Sequence, residues 1–99
     1  MEKIHSYSAH IVWTGNLGAG TQNYTSYGRD FTVSIKNKPP LLGSADAAFR
    51  GDAARYNPEE LLLASLSSCH MLWYLHFCAD AGITVLSYSD VCSGAMAEK

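Results

Sequence analysis

Charge is scarce in this 99-residue chain. Only 16% of its residues are charged, seven Lys and Arg against nine Asp and Glu, where about a quarter is usual. The basic residues, Lys3, Arg29, Lys36, Lys38, Arg50, Arg55 and Lys99, are scattered. No basic stripe exists to track a phosphate backbone, so no nucleic-acid partner is expected. Cysteine is also sparse, and its odd count of three excludes a fully paired disulfide framework. The polar opening Met1–Tyr7 is followed by no apolar run of the signal-peptide kind. A reducing, cytoplasmic setting is therefore expected, in which a cysteine is reactive, metal-binding or buried rather than disulfide-bonded.

What the chain has instead is apolar surface, at 47% of residues. That composition excludes a disordered chain. The length fits one domain over residues 1–99. So small a domain buries only about 60–65% of its unfolded surface. Few charges and many apolar side chains then imply cover by a partner, most simply a second copy of the chain.

Tyr7, Ala9, Ile11 and Trp13 alternate with Ser8, His10, Val12 and Thr14, a period of two that predicts a half-buried strand. Gly15, Gly18 and Gly20 end it. No Gly-Lys-Ser/Thr ending or helical pattern follows them, so they mark a hairpin turn and not a phosphate loop. Phe31, Val33 and Ile35 predict a second strand, and residues 41–56 a loop with a short extended piece near Phe49. Asn57 as N-cap, Pro58 at the first helical position and Glu60 in a capping-box place open a long helix. It runs to about Ala81 and stops at Gly82. The β-branched and aromatic run Ile83–Tyr88 predicts a further strand. The fold class is α+β, with antiparallel strands, a long central helix and then one more strand.

No charge lies between Glu60 and Asp80, a length able to cross a bilayer. Three serines and two histidines inside it, and the lack of Lys or Arg at its ends, argue instead for a helix buried in a soluble protein, with no membrane partner. Cys69 lies in mid-helix. A lone cysteine is most often a packed apolar group. A metal site is not expected: Cys69 and His76 share a face but stand about 10 Å apart along the axis. Cys69 and Cys78 are about 13 Å apart, too far for a disulfide in an intact helix.

The stretch Asn57-Pro58-Glu59-Glu60-Leu61, followed by Cys69 ten residues after Glu59, resembles the central motif of the OsmC/Ohr family of thiol-dependent peroxidases. Phe49-Arg50-Gly51-Asp52 before it, and His70–Leu75 and Ala81-Gly82-Ile83 after it, resemble an OsmC-like subgroup. The resemblance implies an intertwined homodimer that reduces organic hydroperoxides with a thiol reductant, in oxidative stress defence and without a cofactor. Cys69 is then the attacking thiolate. A guanidinium is suited to hold a thiolate and a peroxide oxygen, and a carboxylate, Glu59, to orient it. Arg29 and Arg50 compete for that place, and Arg55 is a weaker candidate. The family's domain ordinarily continues for about another 40 residues beyond the position of Lys99, so a truncated form is one expectation. Glu59 and Cys69 are too far apart to meet on one helix. The expected remedy is an antiparallel pairing of two helices that cross near Ala64. Two other readings stand beside the peroxidase: a non-catalytic homodimeric remnant, and a binder of small apolar ligands in a groove beside the helix.

Overall fold

The computed structural model describes residues 2–98. The chain forms two compact units, one ending at Pro58 and one beginning at Glu59. The first unit holds β1 (His10–Trp13), β2 (Phe31–Ser34), β3 (Leu41–Gly43) and a 3-10 turn at Ala47–Phe49. The three strands form one antiparallel sheet in the order β1-β2-β3. Ile11 stands opposite Val33 and Trp13 opposite Phe31, and Val33 in turn stands opposite Leu41.

The alternating residues form the two predicted strands, shortened at their ends. The glycine-rich connection is a long hairpin loop, narrowed by a bridge between Asn16 and Tyr27. Its backbone is held by side chains: Asn16 Oδ1 accepts the N–H groups of Gly18 and Gly20 at 2.9 and 3.1 Å. The stretch 41–56 differs from expectation. Leu41–Gly43 is a strand, and Phe49 ends a 3-10 turn. Three residues are too few to show a period of two. It is pairing with β2 that extends them, after a turn in which Asn37 takes a φ of 66°.

The second unit is built on α1 (Pro58–Asp80). The helix begins directly after Asn57, with proline at its first position, where its missing N–H costs no bond. Glu59 and Glu60 lie in the first turn, favourable beside the positive end of the helix dipole. At the other end Gly82 adopts a φ of 76°. Ile83 N–H donates to Cys78 O at 2.8 Å and Gly82 N–H to Ala79 O at 3.2 Å, the paired bonds of a Schellman cap.

Residues Ile83–Tyr88, expected as a strand, do not form one. β-rich composition suits a strand, but a ladder partner makes one, and no described segment pairs with this one. The chain instead runs back along α1. The Tyr88 ring meets that of Tyr74 at 5.9 Å. The Ser67 hydroxyl donates to the Asp90 carboxylate at 2.6 Å, and the Cys92 thiol lies 3.8 Å from the Leu63 carbonyl oxygen. This arm half-buries the stripe Leu63, Ser67, Met71 and Leu75, and Cys78 is fully buried.

Hydrophobic burial is otherwise nearly absent. Among the described residues Cys78 is the one buried hydrophobic side chain, and the β1 residues are all exposed. α1 has the length and apolar composition of a membrane span.

Candidate active site

Cys69 lies on the side of α1 that the arm leaves open, and it is exposed. Counting along the helix, Glu59, Leu62, Leu66, Cys69, Trp73 and His76 recur at alternating steps of three and four residues. That spacing draws one continuous seam down a helix. Leu62, Leu66 and Trp73 are 59%, 61% and 57% exposed. The seam is therefore an apolar stripe with one carboxylate near its start and one thiol in its middle. His76 packs edge-on against Trp73 at 5.6 Å, and Phe77 stacks on the same indole at 5.6 Å.

The three thiols occupy different surroundings. Cys78 is enclosed near the C-terminal end of α1, beside a hollow of about 430 Å³ lined by Leu75, Gly82, Ile83 and Val85 among others. The Tyr74 phenol is held above its ordinary pKa, chiefly by its hydrogen bond with the Cys78 thiol. Cys92 is exposed on the arm. It sits level with Leu63, six residues and about 9 Å along the axis from Cys69.

Arg29 and Arg50 belong to the first unit and are used very differently. The Arg29 guanidinium lies 3.7 Å from the Tyr27 ring centroid and 4.5 Å from that of Tyr24. It donates to the carbonyl oxygens of the same two residues. Trp13 closes the stack, edge-on to Tyr27 at 5.9 Å. Arg29 is thus the centre of the hairpin loop. Arg50 is exposed at the end of the 3-10 turn. Asp30 and Asp52, the acids nearest Arg29 and Arg50 in the sequence, pair with Arg55, at 3.4 and 3.8 Å. Among the described residues Arg50 makes no side-chain hydrogen bond or ion pair.

Sequence reasoning passed over Ser44, the one fully buried polar side chain among the described residues. A single serine between apolar and acidic residues gives no signal of that kind. No three His, Cys, Asp or Glu side chains among the described residues come together as a metal set.

Comparison with known proteins agrees with this architecture. Residues 51–98 match the family of OsmC-like proteins, with Arg50 just before the matched stretch and Glu59 and Cys69 within it. The fold is OsmC-like as a whole. A solved OsmC-like protein of unknown function from Vibrio cholerae superposes with a TM-score of 0.81 at 31% identity, over 97% of this chain and 64% of that one. A small RNA 2'-O-methyltransferase of Gallus gallus is 33% identical over 72 residues, 73% of this chain. The chain spans only 19% of the length of that protein, and less than two thirds of the Vibrio cholerae chain.

Proposed function

We propose that the protein is a thiol-dependent peroxidase that reduces organic hydroperoxides through Cys69. The observation that carries the reading is the position of Cys69, an exposed thiol on an apolar helical seam, ten residues after Glu59 inside the stretch that matches the family of OsmC-like proteins. In the reaction the Cys69 thiolate attacks the outer peroxide oxygen. The O–O bond breaks, an alkoxide leaves and takes up a proton as the alcohol, and the sulfur becomes a sulfenic acid. A first reductant thiol then forms a mixed disulfide and releases water. A second thiol attacks that disulfide, returns Cys69 to the thiol and leaves as the oxidised reductant. Apolar neighbours on the seam suit a hydroperoxide with a hydrocarbon body.

A thiolate at neutral pH needs a fixed cation nearby. Arg50 is the cation proposed for it, because its guanidinium has no competing partner among the described residues, whereas that of Arg29 is committed to two tyrosines. Glu59 is proposed to orient the guanidinium.

The functional unit is proposed to be a homodimer. A chain in which Cys78 is the one buried hydrophobic side chain among the described residues needs another surface to cover its leucines and tryptophans. Packing two copies of α1 antiparallel along the seam, with Glu59 of one copy level with Cys69 of the other, sets Leu62 of each copy level with Leu66 of its partner and covers both. A cytoplasmic site of action belongs to the same reading.

The experiment that tests it is turnover. The purified protein, given cumene hydroperoxide and a dithiol, is expected to form cumyl alcohol, and Cys69→Ser to form none. Equal turnover by the two proteins overturns the reading.

A further inference from the structure

A hollow in the first unit lies against the hairpin of β2 and β3. It measures about 650 Å³, within the range of roughly 300–1,000 Å³ typical of small-molecule sites. Its floor follows from the strand pattern. Val33 and Ile35 are two residues apart and share a face, and Leu41 of β3 stands opposite Val33. Pro39 and Pro40 add a wall with no amide N–H to offer a polar group. The backbone around the hollow is tied. Lys38 N–H donates to Ile35 O at 3.1 Å across the turn at Asn37, and Ser44 N–H donates to Tyr56 O at 3.0 Å. Ile35, Leu42 and Tyr56, which line it, are 39%, 48% and 61% exposed, so the hollow is a trough that a ligand can enter from solvent.

The charged side chains that line the trough, Lys38 and Arg55, are both cations, and no acid lines it. The two cations are not equivalent. Arg55 Nε lies 3.4 Å from the Asp30 carboxylate and 3.8 Å from that of Asp52. One positive charge there faces two negative ones, so that group attracts no further anion. Lys38 makes no ion pair among the described residues. Asp30 precedes β2 and Lys38 follows it in the turn, which sets the two groups toward opposite ends of the hairpin. We infer that the trough binds an amphiphilic carboxylate, a medium-chain fatty acid, with its head on the Lys38 ammonium and its hydrocarbon body along Val33, Leu41 and Pro40. A neutral hydrocarbon gains only the burial of its body. A cationic amphiphile gains the same burial and is repelled by Lys38. The carboxylate gains both burial and the ion pair. Every residue in this inference belongs to the first unit, and it stands apart from the reading of Cys69.

The test titrates the full chain, labelled with nitrogen-15, and follows its amide shifts. The probes are decanoate, kept below its micelle concentration, and decyltrimethylammonium, which has the same hydrocarbon body and the opposite head charge. Decanoate is expected to give saturable shifts centred on Val33, Lys38, Leu41 and Tyr56, and to bind at least about fivefold more tightly than the cationic probe. Lys38→Gln is expected to weaken decanoate about fivefold, the upper worth of an exposed ion pair, and to leave the cationic probe bound no more weakly than before. Lys38 is exposed in a turn, so the variant is expected to fold, and its spectrum away from the turn checks that it has. The comparison of the two heads on the parent protein needs no variant at all. Equal affinity for the two probes overturns the inference, as does unchanged decanoate affinity in Lys38→Gln. Saturable shifts confined to the second unit, or none up to the solubility of decanoate, overturn it as well. Shifts over residues 33–42 that follow protein concentration with no probe present do the same, since a second copy then covers this face.

Discussion

Glu59 and Cys69 stand on one helix, ten residues and about 15 Å apart along its axis, at the start and middle of a single exposed seam. No glutamate side chain spans that distance. A carboxylate that helps the thiolate must therefore act through another group or come from another copy of the helix. The first expectation concerns rates. Glu59→Ala is expected to slow Cys69 oxidation by cumene hydroperoxide about tenfold or more, comparable with Arg50→Ala. Both should change stability by less than about 0.5 kcal/mol, as exposed substitutions usually do. Stopped-flow oxidation and urea melts of the same samples check this. Parent-like rates in both variants remove the arginine–glutamate scheme.

Arg29 is expected to behave in the opposite way. Its guanidinium sits on two tyrosine rings and donates to two carbonyl oxygens. Arg29→Ala should cost about 2 kcal/mol of stability and leave the alkylation rate of Cys69 close to that of the parent. A stable Arg29→Ala protein with a slow thiol would reverse the roles given to the two arginines.

The oligomer is the third expectation. Sedimentation velocity should find a dimer, and Leu66→Asp on the seam should dissociate it. Ala64 lies to one side, lining a hollow with Ser67, Met71, Tyr88 and Cys92. Ala64→Arg is accordingly expected to weaken the dimer less than Leu66→Asp. A monomeric parent protein that still oxidises Cys69 quickly contradicts the paired-helix site.

How much of this was legible in the sequence depended on how local each signal was. α1 was announced by Asn57-Pro58 at one end and Gly82 at the other, because caps are written in adjacent residues. β1 and β2 followed from alternation at Ile11–Trp13 and Phe31–Val33. Leu41–Gly43 was not legible, since a three-residue strand is made by its neighbour. Ile83–Tyr88 misled for the same reason in reverse: the residues favour a strand, but pairing is decided elsewhere in the chain. Among the site residues, Cys69 and Glu59 were legible as a spaced pair. The division of labour among the arginines was not, because it depends on Tyr24 and Tyr27 folding over Arg29 and on Arg55 taking Asp30 and Asp52. Ser44 left no trace at all, as its importance comes from burial and from the amide of a residue eight positions away.

The central claim is that Cys69 is the thiol that meets the peroxide, and site-resolved trapping of the first oxidation product tests it most directly. The protein is exposed briefly to one equivalent of cumene hydroperoxide with dimedone present, digested and mapped. The account predicts a dimedone adduct on Cys69, with Cys78, enclosed beside Tyr74, unmodified and Cys92 modified only slowly. An adduct mainly on Cys78 or Cys92, or none on Cys69 while peroxide is consumed, would contradict it.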